Sequence, residues 1–94
     1  MSREEAYQLL AKAITEIQEQ SGREVGNLNE DIRPFTDLDG FDSLNGVEVK
    51  TLLLEDICFD DKLNFFSPID GREITLGEIA DRIAAVAKAK EMVS

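Results

Sequence analysis

Apolar residues at Ala6, Leu9, Leu10, Ala13, Ile14 and Ile17 recur every three or four positions. That period predicts one amphipathic helix over about 3–20. Ser2 followed by Glu5 supplies a capping box at its start, and Ser21-Gly22 supplies the stop. Residues 22–42 carry no comparable stripe. Val25, Leu28, Ile32, Phe35, Leu38 and Phe41 punctuate them, enough to pin a long connection to a core. A short helical turn is expected near 28–33, ending before Pro34, because proline disfavours helical geometry in the residue preceding it.

A second helix is expected from Asp42-Ser43 to about Ile57. Its apolar residues, Leu44, Val47, Val49, Leu52, Leu53, Leu54 and Ile57, lie on several faces, as in a helix buried between others. Within residues 58–74, Lys62 to Phe66 reads as a short helix or part of a hairpin. Ile69-Asp70-Gly71-Arg72 reads as a turn, since Asp-Gly favours the tight turns of hairpins. The last helix is expected from about Leu76 to Lys90. Thr75 with Glu78 forms a second capping box, and Leu76, Ile79, Ala80, Ile83, Val86 and Ala87 form an inward stripe. The sum is an all-α fold: a small bundle of three to four helices, with a long loop between the first two, in a single domain spanning 1–94.

Composition narrows the chemistry. At 94 residues and 43% apolar, the chain can bury one modest core. It has no apolar run long enough for a membrane span and no apolar signal core at its start, so a cytoplasmic monomer is expected. With no histidine and one cysteine, zinc ligation and the usual neutral-pH general base are both missing. No nucleophile–base pair stands out, and an enzyme acting alone is not expected. Cys58 is expected to be a small buried filler. The net charge of −10 repels nucleic acid and anionic membranes and favours a basic protein partner. The charge is uneven: residues 30–61 hold ten acids against two bases, whereas residues 62–94 balance.

That acidic third contains Gly40-Phe41-Asp42-Ser43-Leu44-Asn45-Gly46. At their plainest, Asp42 and Ser43 are ordinary helix caps. If Asp42 takes the cap, however, the Ser43 hydroxyl is free at the first helical position, beside a helix end that favours an anion. Gly46, one turn on, leaves the surface there open at a cost to helix propensity.

The run Gly40-Phe41-Asp42-Ser43-Leu44 at the start of an acidic helix resembles the Asp-Ser-Leu motif of acyl carrier proteins. Val47-Glu48-Val49, Leu53 and Glu55-Asp56 are similar to that family's second helix, and Ile74-Thr75-Leu76-Gly77-Glu78-Ile79 to the start of its last one. The resemblance covers nearly the whole chain and is weakest at 22–38 and 58–73. It implies that Ser43 carries covalent 4′-phosphopantetheine, added from coenzyme A by a phosphopantetheinyl transferase. The arm's thiol would hold acyl groups as thioesters for enzymes of fatty-acid, polyketide or specialised lipid synthesis. It also implies that Asp42, Glu48, Glu55 and Asp56, with Leu44 and Val49 as apolar contacts, meet basic patches on acyl-transferring or acyl-modifying partners.

Asn45, where the family pattern has an acid, and Lys50 on the second helix depart from the motif, as does the longer 58–74 connection. These departures suggest a specialised carrier with a narrower set of partners. The apolar faces of the second and last helices could part for an acyl chain, although those residues read equally well as plain core. The alternatives are an aminoacyl or peptidyl carrier and an unmodified acidic interaction module. A calcium loop matches at Asp37, Asp39 and Glu48 but fails at Phe41 and at Asp42, where the sharp turn needs glycine.

Overall fold

The computed structural model describes residues 2–60 and 62–89. It is predominantly helical: α1 (Arg3–Gln20), α2 (Pro34–Asp37), α3 (Ser43–Asp56) and α4 (Leu76–Val86), with two-residue strands β1 (Ile57–Cys58) and β2 (Lys88–Ala89). Helix α1 is the hub, packing against both α4 and α3. Its buried face is Ala6, Leu10, Ala13, Ile14 and Ile17. Leu76, Ile79, Ala80 and Ile83 of α4 and Val49 and Leu53 of α3 join it, and Phe41, Phe65 and Phe66 complete one continuous core.

Each long helix starts on a reciprocal capping box: Ser2 with Glu5, Asp42 with Asn45, and Thr75 with Glu78. The long connection is pinned as its apolar spacing predicts, with Leu38 and Phe41 buried and Leu28 and Ile32 packed against the core. It also serves α4. The Leu76 N–H donates to the Ile32 carbonyl at 2.8 Å and the Gly77 N–H to the Glu30 carbonyl at 2.9 Å. These bonds occupy donors that a helix start leaves without intrahelical partners. Arg3 braces the same corner, pairing with Glu30 and Asp81 at 2.5 Å each.

Several expectations are corrected. The helical turn lies after Pro34, not before it: Pro34 is the first residue of α2, where its fixed φ suits a helix and its missing N–H is not needed. No helix forms over the described part of 62–66; turns there bring Phe65 and Phe66 into the core. The 69–72 turn is present as a one-bridge hairpin, Ile69 opposite Arg72, with Asp70 at φ 48° and Gly71 at φ 80°. Two successive positive φ values are what a type I′ turn requires.

Helix α4 stops at Val86, short of the expected end at Lys90, which lies outside the described residues. The backbone turns extended so that Lys88 and Ala89 pair antiparallel with Cys58 and Ile57. Val86 is half exposed instead of facing inward. Cys58 is exposed, because in an extended pair Ile57 takes the inner face and its neighbour the outer one.

Candidate functional site

The site forms where α1 ends, the long connection closes and α3 begins. Asp42 is extended and caps α3: its carboxylate accepts the Asn45 N–H at 3.1 Å, and its own N–H donates to Asn45 Oδ1 at 3.1 Å. Ser43 is the first residue of α3 and is solvent-exposed. Asp42 therefore does the capping, leaving the Ser43 hydroxyl outside the capping box.

A buried polar network lies beneath this helix start. Gln18, fully buried in the last turn of α1, donates from Nε2 to the Asp39 carbonyl at 2.7 Å. Arg23 donates from Nη1 to Gln18 Oε1 at 3.2 Å and to Asn45 Oδ1 at 3.0 Å. Asn45, only 6% exposed, donates in turn to Glu48 at 2.7 Å. Asn45 thus works inward, joining the cap to α1, a role not assigned by its reading as a departure from the family's acid. The signal available in sequence was its position three residues after a capping Asp. Arg23 also leaves no space at Gly40, where a Cβ would lie 2.8 Å from its Nε.

Ser43 stands on the rim of a groove of about 420 Å³. It is lined by Gly46, Val47 and Lys50 of α3, by residues 62–68 and by Phe35 of α2. Two of its lining residues, Phe35 and Phe66, belong to an aromatic cluster with the buried Phe41. Phe35, Phe41 and Phe66 form a triangle with ring centroids 5.8–6.0 Å apart, a spacing typical of favourable tilted aromatic pairs. Gly46 lies over it, and the Phe66 ring would be 3.5 Å from a Cβ placed there. The far wall is held by side chains: Arg82 donates to the Ser67 carbonyl at 2.9 Å, and Lys50 Nζ to the Leu63 carbonyl at 3.3 Å. Phe35 is held from the hairpin, where Glu73 accepts its N–H at 2.5 Å and also the Thr36 hydroxyl.

The expected partner surface is only partly assembled. Leu44, 67% exposed, lies on the outer face of the first turns of α3, with Glu48 one turn further on and exposed too. Asp42 is exposed at the same end. Glu55 and Asp56 are exposed at the opposite end of the helix, where they border α1. Val49 is a correction: it is completely buried, because it sits on the face of α3 turned to the core. The exposed apolar neighbour of Leu44 is instead Val47, at 56%. The α3 helix is therefore not apolar-buried on every side.

Helices α3 and α4 are joined in sequence by a segment that carries its own aromatic pair. There Phe59 and Phe65 stack edge-on with centroids 4.8 Å apart. The concavity beside Ser43 lies between α3 and that segment. Among the described residues no cluster of three acidic or cysteine side chains is placed to hold a metal ion, and no helix is long and apolar enough to cross a membrane. No family model matches this sequence, and neither a curated protein nor a solved structure matches it.

Proposed function

We propose that this chain is an acyl-carrier-type protein modified on Ser43 with 4′-phosphopantetheine. The observation that carries the reading is the division of labour at the start of α3: Asp42 takes the cap and Ser43 is exposed as the first helical residue. A phosphodiester on that oxygen would sit at the positive end of a helix macrodipole, and the groove beside it is open to a tethered group. The acidic surface of residues 30–61 and the exposed Leu44 and Val47 suit a basic partner enzyme with an apolar contact at its centre.

In the modification, the Ser43 oxygen forms an ester bond to the pantetheine-bearing phosphorus of coenzyme A. The diphosphate bond breaks, adenosine 3′,5′-bisphosphate leaves, and the serine proton passes to a base of the transferase. The carrier then presents acyl groups as thioesters on the arm's thiol and performs no chemistry of its own.

Incubation with coenzyme A and a promiscuous phosphopantetheinyl transferase, followed by intact mass measurement, tests this. A gain of one phosphopantetheine is expected in the wild type and none in Ser43→Ala. An unchanged wild-type mass, or an equal gain in Ser43→Ala, would sink the reading and leave an unmodified acidic interaction module. Loading assays with acyl and aminoacyl coenzyme A thioesters would then separate a lipid carrier from an aminoacyl or peptidyl one.

A further inference from the structure

The two ends of the Asn45 amide have different tasks. Two groups that can only donate, the Asp42 N–H at 3.1 Å and Arg23 Nη1 at 3.0 Å, converge on Oδ1. That fixes which way the amide points, because a nitrogen in the same place would set donor against donor. Nδ2 is left for Glu48, and it donates to Oε1 there at 2.7 Å. Asn45 is buried and Glu48 is exposed. A buried amide held by two other groups thus grips one oxygen of a surface carboxylate. Among the described residues the Glu48 carboxylate has no further hydrogen-bond or ion-pair partner, so its second oxygen faces solvent. Glu48 lies one helical turn from the exposed Leu44. A glutamate without such a bond keeps the rotamer freedom of a long exposed side chain.

On the carrier reading of Ser43, we infer that Asn45 is a positioning residue: it presets the Glu48 carboxylate beside Leu44 for a cationic side chain of the enzyme that modifies Ser43. Immobilising one rotamer-rich side chain on association weakens binding by about two- to tenfold. With Asn45 in place, that ordering is done within the carrier before the enzyme arrives. Aspartate at this position separates the role from a structural one. It has the same shape, and its carboxylate still accepts from the Asp42 N–H and from Arg23. It cannot donate, and it sets a like charge against Glu48.

The experiment follows phosphopantetheine transfer from coenzyme A to the full chain by a promiscuous phosphopantetheinyl transferase, with the carrier concentration varied. Asn45→Asp should raise KM for the carrier by about two- to tenfold with little change in kcat. Net charge alone predicts the opposite sign, since the variant is more acidic and the enzyme basic. Glu48→Gln, at an exposed position, should also raise KM. Asn45→Asp should add nothing in that background, as for two residues that act through one contact. In the unmodified protein, side-chain scalar couplings should show one Glu48 rotamer in the wild type and averaging in Asn45→Asp, with the dispersion of the folded spectrum kept. An unchanged KM in Glu48→Gln, an unchanged or lowered KM in Asn45→Asp, additive effects in the double variant, or identical Glu48 couplings would each overturn the inference while leaving the carrier reading in place. Failure of the wild type to be modified removes the carrier reading itself, and this inference with it.

Discussion

The guanidinium of Arg23 donates to Asn45 Oδ1 at 3.0 Å, joining the chain just after α1 to the first turn of α3. The same nitrogen reaches Gln18 Oε1, so one side chain satisfies two largely buried amides. Arg23→Met would leave Gln18 Oε1 without this donor, and Asn45 Oδ1 with only the Asp42 N–H. A loss of about 1–3 kcal/mol is expected for such an unpaired group, and urea denaturation measures it. A change below a few tenths of a kcal/mol would mean that the network is dispensable.

Ser43 and Asp42 should separate cleanly in stability. Ser43→Ala removes an exposed hydroxyl outside the capping box, and its effect should stay within about 0.5 kcal/mol. Asp42→Ala removes the cap of α3 and should cost about 1 kcal/mol. Thermal unfolding of the two variants side by side checks this. The reverse order would place the cap on Ser43.

Two glycines of this region should respond with opposite signs. Gly40 has φ +65° and faces Arg23 too closely for a Cβ, so Gly40→Ala should destabilise by about 1–2 kcal/mol. Gly46 is helical, and an added Cβ would meet Phe66 at ordinary contact distance. Gly46→Ala should therefore stabilise by up to about 1 kcal/mol through helix propensity while narrowing the groove. Chevron or equilibrium denaturation distinguishes the signs.

Acid sensitivity should localise to the start of α4. Hydrogen bonding from Arg72, then from the Thr75 backbone, holds the Glu78 carboxyl at about 2. An unfolded glutamate titrates near ~4.3. Between these values the unfolded chain binds more protons, so stability rises with pH across the window. The contribution is complete above ~4.3 and is lost as pH falls toward about 2. Glu5 and Glu30 are lowered as well, by bonds to Ser2 and to Arg3, and steepen the same limb. Glu78→Gln should flatten stability over that range when denaturation midpoints are measured from pH 5 to 2.

Glu73 should act on the groove from outside it. Its carboxylate accepts from Phe35 and Thr36, fixing the first turn of α2 to the hairpin. Glu73→Ala should speed amide hydrogen exchange at Phe35 and broaden the ring resonances of Phe35, with little change at α1. Unaltered exchange at Phe35 would show that α2 is held by its apolar contacts alone.

What could be read from sequence follows the range of each interaction. Helix starts are decided within four residues, so the Ser2–Glu5 and Thr75–Glu78 boxes were legible, and so was Asp42 as a cap. For Asn45 as the other half of its box there was only the three-residue spacing from Asp42, since Asn is outside the usual Glu/Gln pattern and its partner Arg23 is 22 residues away. The end of α4 was overestimated because the alanine- and lysine-rich run after Val86 suits a helix locally. Pairing with Ile57 and Cys58, some thirty residues earlier, overrides that preference. The same pairing turns Cys58 outward, which no local pattern announces. The groove was hidden for a related reason. Its two walls are separated along the chain, and Phe35 and Phe41 read only as residues that pin the connection, with Phe66 at the end of an expected short helix.

The short β1–β2 pair ties the end of α3 to the chain just past α4. The 59–74 stretch, which includes the far wall of the groove, therefore starts at a fastened point and ends at the capped start of α4. Such a segment can change in length or sequence while the bundle and the Ser43 cap keep their register, because closing a somewhat longer loop costs little entropy. In evolutionary terms, the region behaves as an interchangeable insert: it can diverge while the start of α3 stays fixed.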